Sequence, residues 1–333
     1  MTYDNFQQLA NRLRELLKTE QTLILDVGAG QNLSSYFSCL LEGCKIIFVD
    51  PDEEALGEIA AGLRSDTRYV YEVRCAALAD KEGFKTFHIT RSPVNSSLKQ
   101  PNPVFARRYK VPGMEVVSTQ EVYCRTIDTL IEAPDRPALL KVDCQGIDLE
   151  VLMGAERHLN TSVVAVIAET AFLALYDGQK LFPELCEFLR IRGYNFYGFL
   201  THRAYSPKLL DHSKILTRER WIWGDAIFFR EGDLEHLCAQ SKYDLLVISL
   251  GLDYLELAAE LAISIGAEVA EAVLSYIKCI HQLSSDEALK RINTLTSRAA
   301  SLAAVLPAPA LRGVDHSLIS YGYAAHLLHP KSA

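Results

Sequence analysis

The first 75 residues alternate between helix-like and strand-like patterns of hydrophobic and polar positions. Residues 4–18 carry apolar side chains mostly at steps of three and four, which predicts an amphipathic helix. Short apolar runs predict three buried strands, at residues 22–27, 45–50 and 69–73. Helical patterns lie between them, near residues 33–42 and 52–64. This order predicts a parallel sheet with helices on both faces, joined by right-handed crossovers.

The alternation is interrupted once and later ends. Residues 83–125 hold one predicted strand, at 84–89, in a long segment rich in proline, asparagine and serine, which is typical of a functional insert. The remaining strands are predicted at residues 138–143, 163–169, 194–199 and 225–229, with a helix at 180–192 and a loop at 201–224. Beyond residue 233 only helical patterns follow, including a capping box at residues 284–287 that predicts a helix to about residue 305.

These elements predict a doubly wound, Rossmann-like α/β fold with a mostly parallel sheet of seven strands and an all-helical C-terminal extension. The length of 333 residues fits about two domains, and 49% hydrophobic with 23% charged residues is a globular composition. We predict an N-terminal helix in residues 1–21, an α/β domain in 22–232 with its insert at about 83–125, and a helical extension in 233–333.

The charge and the cysteines narrow the class of protein. A net charge of −8 argues against nucleic acid as a partner. The chain begins without a signal-peptide core, and no run approaches the roughly 20 apolar residues of a membrane span, so we predict a cytoplasmic protein without one. The eight cysteines lie one to a segment without a Cys-x-x-Cys pair, which predicts reduced, mostly buried thiols.

A glycine turn follows the first predicted strand. Asp26 precedes Gly28 and Gly30, and Asp50 ends the second strand. Glycines let a ligand approach the backbone, and an acid at the end of strand two suits the hydroxyls of a ribose, which predicts an adenosine-containing cofactor. Leu33 stands where the dinucleotide fingerprint has its third glycine, and an acid at position 26 would repel a pyrophosphate. S-adenosylmethionine is therefore favoured over NAD; the alternative is a strand–turn–helix corner without a ligand.

Acidic side chains end two later strands. Asp143 and Gln145 lie at the carboxyl end of the strand at 138–143, and Glu169 ends the next strand. Ligands bind at this edge of open α/β sheets, where Asp143 and Glu169 should be neighbours. Two acids could orient a hydroxyl, act as a base or bind a metal, but no third ligand is evident, so no metal is predicted. The alternative roles are helix caps and surface acids, and Asp148 is expected to be a solvated acid at a helix start.

Several short motifs occur in a fixed order along residues 26–229. Two of them are Asp26-Val27-Gly28-Ala29-Gly30 and Lys141-Val142-Asp143-Cys144-Gln145-Gly146. The others are at residues 76–83, 96–98, 125–130, 151–155, 176–179 and 225–229. Each is weak alone, but the ordered set resembles the FkbM family of S-adenosylmethionine-dependent methyltransferases over about residues 22–230. The family usually has Asn at the position of Gly30 and often has Glu at the position of Asp50.

The resemblance implies a class I methyltransferase fold and methyl transfer from S-adenosylmethionine to a hydroxyl of a sugar, glycan or natural product. The cofactor-binding residues predicted in this way are Asp26, Gly28, Gly30, Asp50, Ala76, Ala77, Ser97 and Gln145. Within this set, Ala76 and Ala77 would lie beside the adenine. Asp143 and Glu169 would face the acceptor, and further substrate contacts are predicted for Ser96, His88 and Trp223.

The chemistry implied needs a base, because an alcohol is a weak nucleophile. Asp143 is the first choice and Glu169 the second, with His88 as an alternative from the insert. Trp223 is placed in the loop before the last strand, where it could stack on a sugar or belong to the core. Cys144 is expected to be unreactive, because a reactive thiol needs a cationic neighbourhood.

Charged residues in the insert and helices beyond the domain suggest partners. Basic side chains cluster in the insert, at Arg91, Lys99, Arg107, Arg108 and Lys110, and could attract an anionic acceptor or be a solvated loop. The predicted partner is a small-molecule or saccharide acceptor. The C-terminal helices have apolar faces too large for single surface helices, so we expect packing on the domain and a homodimer through them. Two other functions stay open: an NAD-dependent oxidoreductase and a non-catalytic methyltransferase-like scaffold.

Overall fold

The computed structural model describes residues 3–30, 37, 40, 44–64, 70–207, 209–210, 218–232 and 237–278. The helix predicted near 33–42, apart from residues 37 and 40, and the capping box at 284–287 lie outside this part of the chain. Residues 2–273 form one compact unit, and residue 1 groups with 274–333 in another. Every element named below belongs to the unit of residues 2–273.

The elements that build this unit include the following strands and α-helices. The strands are β1 (Thr22–Val27), β2 (Cys44–Asp50), β3 (Val70–Cys75), β4 (Ala77–Leu78), β5 (Gly83–Thr90), β6 (Val116–Arg125), β7 (Pro137–Val142), β8 (Ala165–Ala171), β9 (Asn195–Tyr205) and β10 (Arg220–Phe229). The helices are α1 (Tyr3–Leu17), α2 (Glu53–Leu63), α3 (Pro103–Tyr109), α4 (Ile127–Leu130), α5 (Asp148–Met153), α6 (Glu156–Thr161), α7 (Phe182–Arg190), α8 (Ala239–Gly251) and α9 (Leu255–Ile265).

Seven strands form the main sheet, in the order β3-β2-β1-β7-β8-β10-β9. The first five are parallel, and β10 is antiparallel to both β8 and β9. The chain moves outward from β1 to β3 and then returns to the other side of β1 with β7. Because this reversal leaves a crevice at the carboxyl ends of β1 and β7, it marks the expected ligand site of a doubly wound fold. The predicted mostly parallel, seven-stranded sheet is confirmed.

The two faces of the sheet are covered by different helices. Leu25, Leu140 and Ala168 belong to a large buried apolar cluster on one face, against which α5 and α7 pack. Side chains alternate between the two faces of a strand, so Thr22 points to the opposite face from Leu23. There the Thr22 hydroxyl donates to Asp244 of α8 at 2.8 Å. Helix α8 is buried along most of its length and packs against α1, α9, β1 and β7.

This packing shows what covers part of the apolar C-terminal region. The apolar side chains of α8 pack on the α/β domain, which is the packing expected from the sequence for the C-terminal helices. The boundary after residue 232 and the homodimer stay predictions. In the part of the chain that the structure describes, no helix combines the length and the apolar character of a membrane span.

The insert is more regular than predicted. Strands β5 and β6 pair antiparallel, and β6 also pairs with the short β4, giving a separate three-stranded sheet. Between them, the Asn102 side chain accepts hydrogen bonds from Val104 N at 2.9 Å and Phe105 N at 3.3 Å, which begins α3. The prediction of one strand and a long loop was wrong here. Six successive side chains at 116–121 are exposed, so no apolar alternation marked β6.

The loop predicted at 201–224 is shorter than expected. Strand β9 continues to Tyr205 and β10 begins at Arg220, so Trp221 and Trp223 lie in a strand. The placement of Trp223 in a loop was therefore wrong. Polar and charged side chains at 201–203 and 218–220 hid this end of the hairpin, because only cross-strand pairing stabilises it.

Candidate active site

The turn after β1 is packed directly against the turn after β7. Gly28 has a φ of +72° and its N–H donates to Val49 O at 2.9 Å. A Cβ at this position would lie 1.9 Å from the carbonyl oxygen of Asp143. Only glycine fits such a backbone contact. The glycine turn thus sets the position of Asp143 as well as the shape of the cofactor site.

Asp50 is held beside the glycine turn by backbone amides. Its two carboxylate oxygens accept from Gly30 N at 3.0 Å and from Asp52 N at 2.9 Å. Burial raises the pKa of Asp50, and these two hydrogen bonds oppose the rise. Ala76 N donates to Asp50 O at 3.1 Å, which places Ala76 and the buried Ala77 next to this acid. The carboxylate is therefore fixed in orientation, with a further lone pair on each oxygen for a ligand hydroxyl.

A buried lysine lies between β1 and the acidic side chains at the carboxyl end of β7 and at Glu169 of β8, which we call the acidic edge. Lys141 Nζ is 3.1 Å from Asp26 Oδ1 and 3.9 Å from Asp143 Oδ2. Asp26 is only 1% exposed, and no donor among the described residues makes a well-aligned hydrogen bond to either of its oxygens. Burial raises the pKa of Asp26, although Lys141 opposes it. For Lys141, burial lowers the pKa, but the charges of Asp26 and Asp143 outweigh burial and raise it.

Lys141 was not among the predicted site residues. The sequence contains a signal for it, since Lys141 is the one charged residue in the apolar run of β7. The role of Lys141 becomes clear only from the strand register, which makes Lys141 and Asp26 direct partners on adjacent strands. A lysine inside a central strand needs a buried counter-charge, and Asp26 supplies it.

The structure brings Asp143, Glu169 and Asp225 together at the same edge. Val142 pairs with Ala168, so the next residues, Asp143 and Glu169, are neighbours where β7 ends. Glu169 was predicted to end its strand, but β8 continues to Ala171 because it pairs with β10 there. Glu169 is the direct cross-strand partner of Asp225, which accepts from the Thr201 hydroxyl at 2.8 Å. Burial raises the pKa of Glu169 well above its usual range, and the charges of Asp143 and Asp148 and a hydrogen bond with Asp143 add to the rise. The raised pKa favours the protonated form of Glu169.

Asp148 stabilises the turn that carries Asp143. Its carboxylate accepts from Cys144 N at 2.7 Å and from Gly146 N at 3.1 Å. The side chain is buried, and burial, with the charge of Asp143, raises its pKa to about 7. The expectation that Asp148 is solvated was wrong, because the turn folds back over the start of α5 and needs an acceptor for its amides.

Gln145 and Tyr176 orient Asp143. Gln145 has a φ of +52°, and its Nε2 donates to Asp143 Oδ1 at 2.8 Å. The buried Tyr176 hydroxyl lies 2.9 Å from Gln145 Oε1 and 3.1 Å from Asn95 O in the insert. A left-handed Gln costs conformational energy, so these contacts are what hold it in place. They link the insert to the acidic edge.

The predicted serines and His88 hold the insert together. Ser97 is buried, and its hydroxyl donates to Gln145 O at 2.7 Å and accepts from Lys99 N at 3.0 Å. Ser97 and His88 exchange two backbone hydrogen bonds, at 2.7 and 3.1 Å. Ser96 Oγ accepts from Thr90 N at 3.1 Å. The structure thus gives Ser96 and Ser97 protein partners, and their ligand contacts and that of His88 stay predictions.

Trp223 packs beside an aromatic group built by the insert. Phe105, Tyr109, Tyr176 and Ile222 form a buried cluster with Met114, and the partly buried Trp223 packs against it. Trp223 therefore lies near Tyr176 and the acidic edge, and its contact with a substrate stays a prediction. Within the part of the chain that the structure describes, no group of three or more His, Cys, Asp or Glu side chains could hold a metal ion.

Comparison with known proteins identifies the family. The sequence model of the Methyltransferase FkbM domain matches residues 26–196, which is about half of the chain. No curated protein matches the sequence significantly.

Among solved structures, the FkbM methyltransferase from Methylobacillus flagellatus KT is 17% identical with a TM-score of 0.36. That match covers 63% of this chain and 43% of the other, so it spans less than half of the Methylobacillus protein. The precorrin-6y C5,15-methyltransferase from Geobacter metallireducens GS-15 is 12% identical, with a TM-score of 0.32 and coverage of 67% of this chain and 87% of that one. The magnesium protoporphyrin IX methyltransferase from Synechocystis PCC 6803, solved with bound SAM, is 12% identical, with a TM-score of 0.33 and coverage of 68% and 80%.

The family match covers the glycine turn, Asp50, the insert, Asp143 and Glu169. The chain therefore belongs to the FkbM family of methyltransferases.

Proposed function

We propose that this protein is an S-adenosylmethionine-dependent O-methyltransferase that acts on a hydroxyl of a sugar, glycan or natural product. The proposal rests on two pairs of acidic side chains that lie side by side at the carboxyl edge of the sheet. Asp26 and Asp50 flank the glycine turn, and Lys141 joins Asp26 to Asp143 beside Glu169. A cofactor site and a proton-accepting site therefore share one edge.

The residues at the glycine turn fit this cofactor. S-adenosylmethionine supplies an electrophilic methyl group on a positively charged sulfur. Asp26 is a buried carboxylate whose Oδ1 lies 3.1 Å from Lys141 Nζ, and its Oδ2 has no donor among the described residues, which leaves that oxygen for a cationic ligand. Asp50 is oriented by Gly30 N and Asp52 N and can accept from ribose hydroxyls. The small Ala76 and Ala77 beside it leave room for a flat ring.

Asp143 is the better candidate for the base. Gln145 Nε2 donates to Asp143 Oδ1 at 2.8 Å, and the Lys141 ammonium lies 3.9 Å from Asp143 Oδ2. Burial and acidic neighbours raise the pKa of Glu169, which favours its protonated form as a hydrogen-bond donor to Asp143. Asp143 would accept the proton of the acceptor hydroxyl while the site holds the oxygen in line with the methyl group.

A thermal-shift panel tests the cofactor. S-adenosylmethionine and S-adenosylhomocysteine should each raise the melting temperature, and NAD should not. At a hundredfold excess over Kd, a bound ligand adds about 2.7 kcal/mol to the free energy of unfolding. Asp50→Ala should abolish the shift, and Asp52→Ala, which keeps the Asp50 side chain, should retain most of it. Stabilisation by NAD alone would favour the oxidoreductase, and stabilisation by none of the three would favour the scaffold.

Turnover tests the base. Transfer of labelled methyl to a panel of sugars and hydroxylated natural products should fall by about 10²- to 10⁴-fold in Asp143→Asn, while the thermal shift with S-adenosylhomocysteine is kept. Glu169→Gln should lose less, because a glutamine can still hydrogen-bond Asp143. Unchanged turnover in Asp143→Asn would remove Asp143 from the reaction.

A further inference from the structure

Three exposed arginines lie beside an aromatic group at the end of the β9–β10 hairpin where β9 ends and β10 begins. We call Arg108, Arg203 and Arg220 the arginine patch. The Arg203 guanidinium lies 6.0 Å from the centre of the Trp223 ring, and that of Arg108 lies 5.6 Å from the Tyr109 ring. A guanidinium on an aromatic face keeps its N–H edges free for an anion.

Strand register places these side chains on one side of the hairpin. Trp223 is the direct partner of Arg203, and Arg220 is the direct partner of Tyr205. Directly opposed residues on antiparallel strands project to the same side, and Arg203 and Tyr205 are two residues apart. Tyr205 packs on α3, with its ring 6.2 Å from those of both Phe105 and Tyr109. Arg203 and Arg220 therefore project to the side of the hairpin that packs on α3, the helix that carries Arg108.

Among the described residues, no carboxylate lies within ion-pair distance of Arg108, Arg203 or Arg220. Two other basic residues of the insert, Arg91 and Lys99, differ in this respect. Arg91 pairs with Glu115 at 2.5 Å and Lys99 pairs with Glu150 at 2.7 Å. The arginine patch thus carries three positive charges without a paired carboxylate among the described residues, in a protein whose net charge is −8.

The patch is joined to the acidic edge by packed side chains. Phe105 and Tyr109, which contact Tyr205, share a buried cluster with Tyr176. The Tyr176 hydroxyl contacts Gln145, whose amide donates to Asp143. A molecule with a hydroxyl at Asp143 would extend along this cluster to reach the arginines with its far end.

We infer that the arginine patch binds a phosphate or diphosphate group of the methyl acceptor. This inference rests on the proposed function, because it assigns the far end of the molecule whose hydroxyl meets Asp143. Arginine forks match the geometry of phosphate oxygens, and several around one site suit a group with more than one negative charge. The acceptor class is then a phosphorylated sugar or alcohol, with the phosphate remote from the reacting oxygen.

Fluorescence of Trp223 gives a direct binding test with inorganic diphosphate as the probe. The chain has two tryptophans, so Trp221→Phe leaves Trp223, under Arg203, as the sole reporter. Diphosphate should change its emission saturably, and the double variant Arg203→Ala/Arg220→Ala should weaken binding by about tenfold or more. The matched control, Arg91→Ala, removes a basic residue that is already paired with Glu115 and should bind as the parent does.

The probe series identifies the anion, and an added ligand separates the two proposals. Diphosphate and phosphate should bind, acetate should not, and added NaCl should weaken binding. No saturable response, equal binding of acetate, or an equal loss in Arg91→Ala would overturn the assignment. A thermal shift with S-adenosylhomocysteine but no diphosphate binding would reject the patch and leave methyl transfer standing. Diphosphate binding without that thermal shift would show an anion site and overturn the proposed function, and with it the link to a methyl acceptor.

Turnover supplies the last readout. Phosphorylated acceptors should be methylated with a higher kcat/KM than their unphosphorylated counterparts, and Arg203→Ala/Arg220→Ala should remove this preference through KM while kcat changes little. Equal loss for both kinds of acceptor would show a structural effect only and overturn the specificity role.

Discussion

Gly28→Ala should disable the active site by displacing Asp143. A Cβ at Gly28 would lie 1.9 Å from Asp143 O and 2.7 Å from Asp143 C, whereas ordinary contacts begin at 3.4 Å. The two turns must therefore separate by about 1.5 Å at this point. Both contact atoms belong to backbone, so no side-chain rotation relieves the clash. The φ of +72° adds about 1–2 kcal/mol of strain for alanine.

The separation acts on the residue proposed as base. Asp143 N donates to Val27 O at 3.0 Å, so the backbone of Asp143 is tied to the turn that alanine would push away. A misplacement of about 1 Å at a reacting group costs about 10²-fold in rate. We expect Gly28→Ala to lower methyl transfer by about 100-fold or more and stability by about 2–5 kcal/mol, the strain plus overpacking.

Gly193→Ala is the matched control. Gly193 also has a positive φ, +84°, but its Cβ would meet nothing within 4 Å among the described residues. Alanine there should carry the same backbone strain, about 1–2 kcal/mol, and leave turnover intact. Urea unfolding measures the free energy of each variant, and labelled methyl transfer measures its rate. If the two variants lose equal stability and keep equal turnover, contact between the turns does not position Asp143.

Three further predictions concern buried groups. Asp244 is buried, which raises its pKa from 3.8 to about 7, so its stabilising contribution is full below about pH 4 and is lost as the pH rises through 7. Asp244→Asn keeps the Oδ1 acceptor of Thr22 and Gln240, and its stability relative to the parent should rise by up to about 4 kcal/mol between pH 4 and pH 8; a difference independent of pH would refute this. Lys141→Met should cost about 3–5 kcal/mol in urea unfolding, and adding Asp26→Asn should restore part of it; no restoration would mean that the charges do not interact. Burial raises the pKa of the Cys144 thiol, so Cys144→Ala should keep turnover and thiol reagents should label Cys144 more slowly than the exposed Cys238; faster labelling would contradict this.

Local patterns were sufficient for the sheet and for part of the site. Each central strand is a short apolar run between turn signals, and the residue that ends it falls at the same edge in any doubly wound fold. Asp50, Asp143 and Glu169 could therefore be placed at one edge from the sequence. The contact of Gly28 with Asp143 could not, because it depends on how two strands, distant in sequence, pack side by side.

The missed features all depend on pairing between distant segments. Lys141 becomes meaningful only opposite Asp26, and Asp148 becomes buried only because a turn folds over it. Strand β6 has a run of exposed side chains and is stabilised by its pairing with β5. The arginine patch joins α3 with the end of a hairpin about 100 residues later, which no local pattern connects.

The contact between Thr22 and Asp244 has a consequence for how the protein folds during synthesis. The two residues are 222 positions apart in the chain, yet α8 lies directly on the strand that carries Thr22. At about 5–20 residues per second, the ribosome needs roughly 10 to 45 seconds to make α8 after β1 has formed. During that interval one face of the central sheet lacks this helix. The nascent chain therefore presents an apolar sheet surface to chaperones until its last third is made.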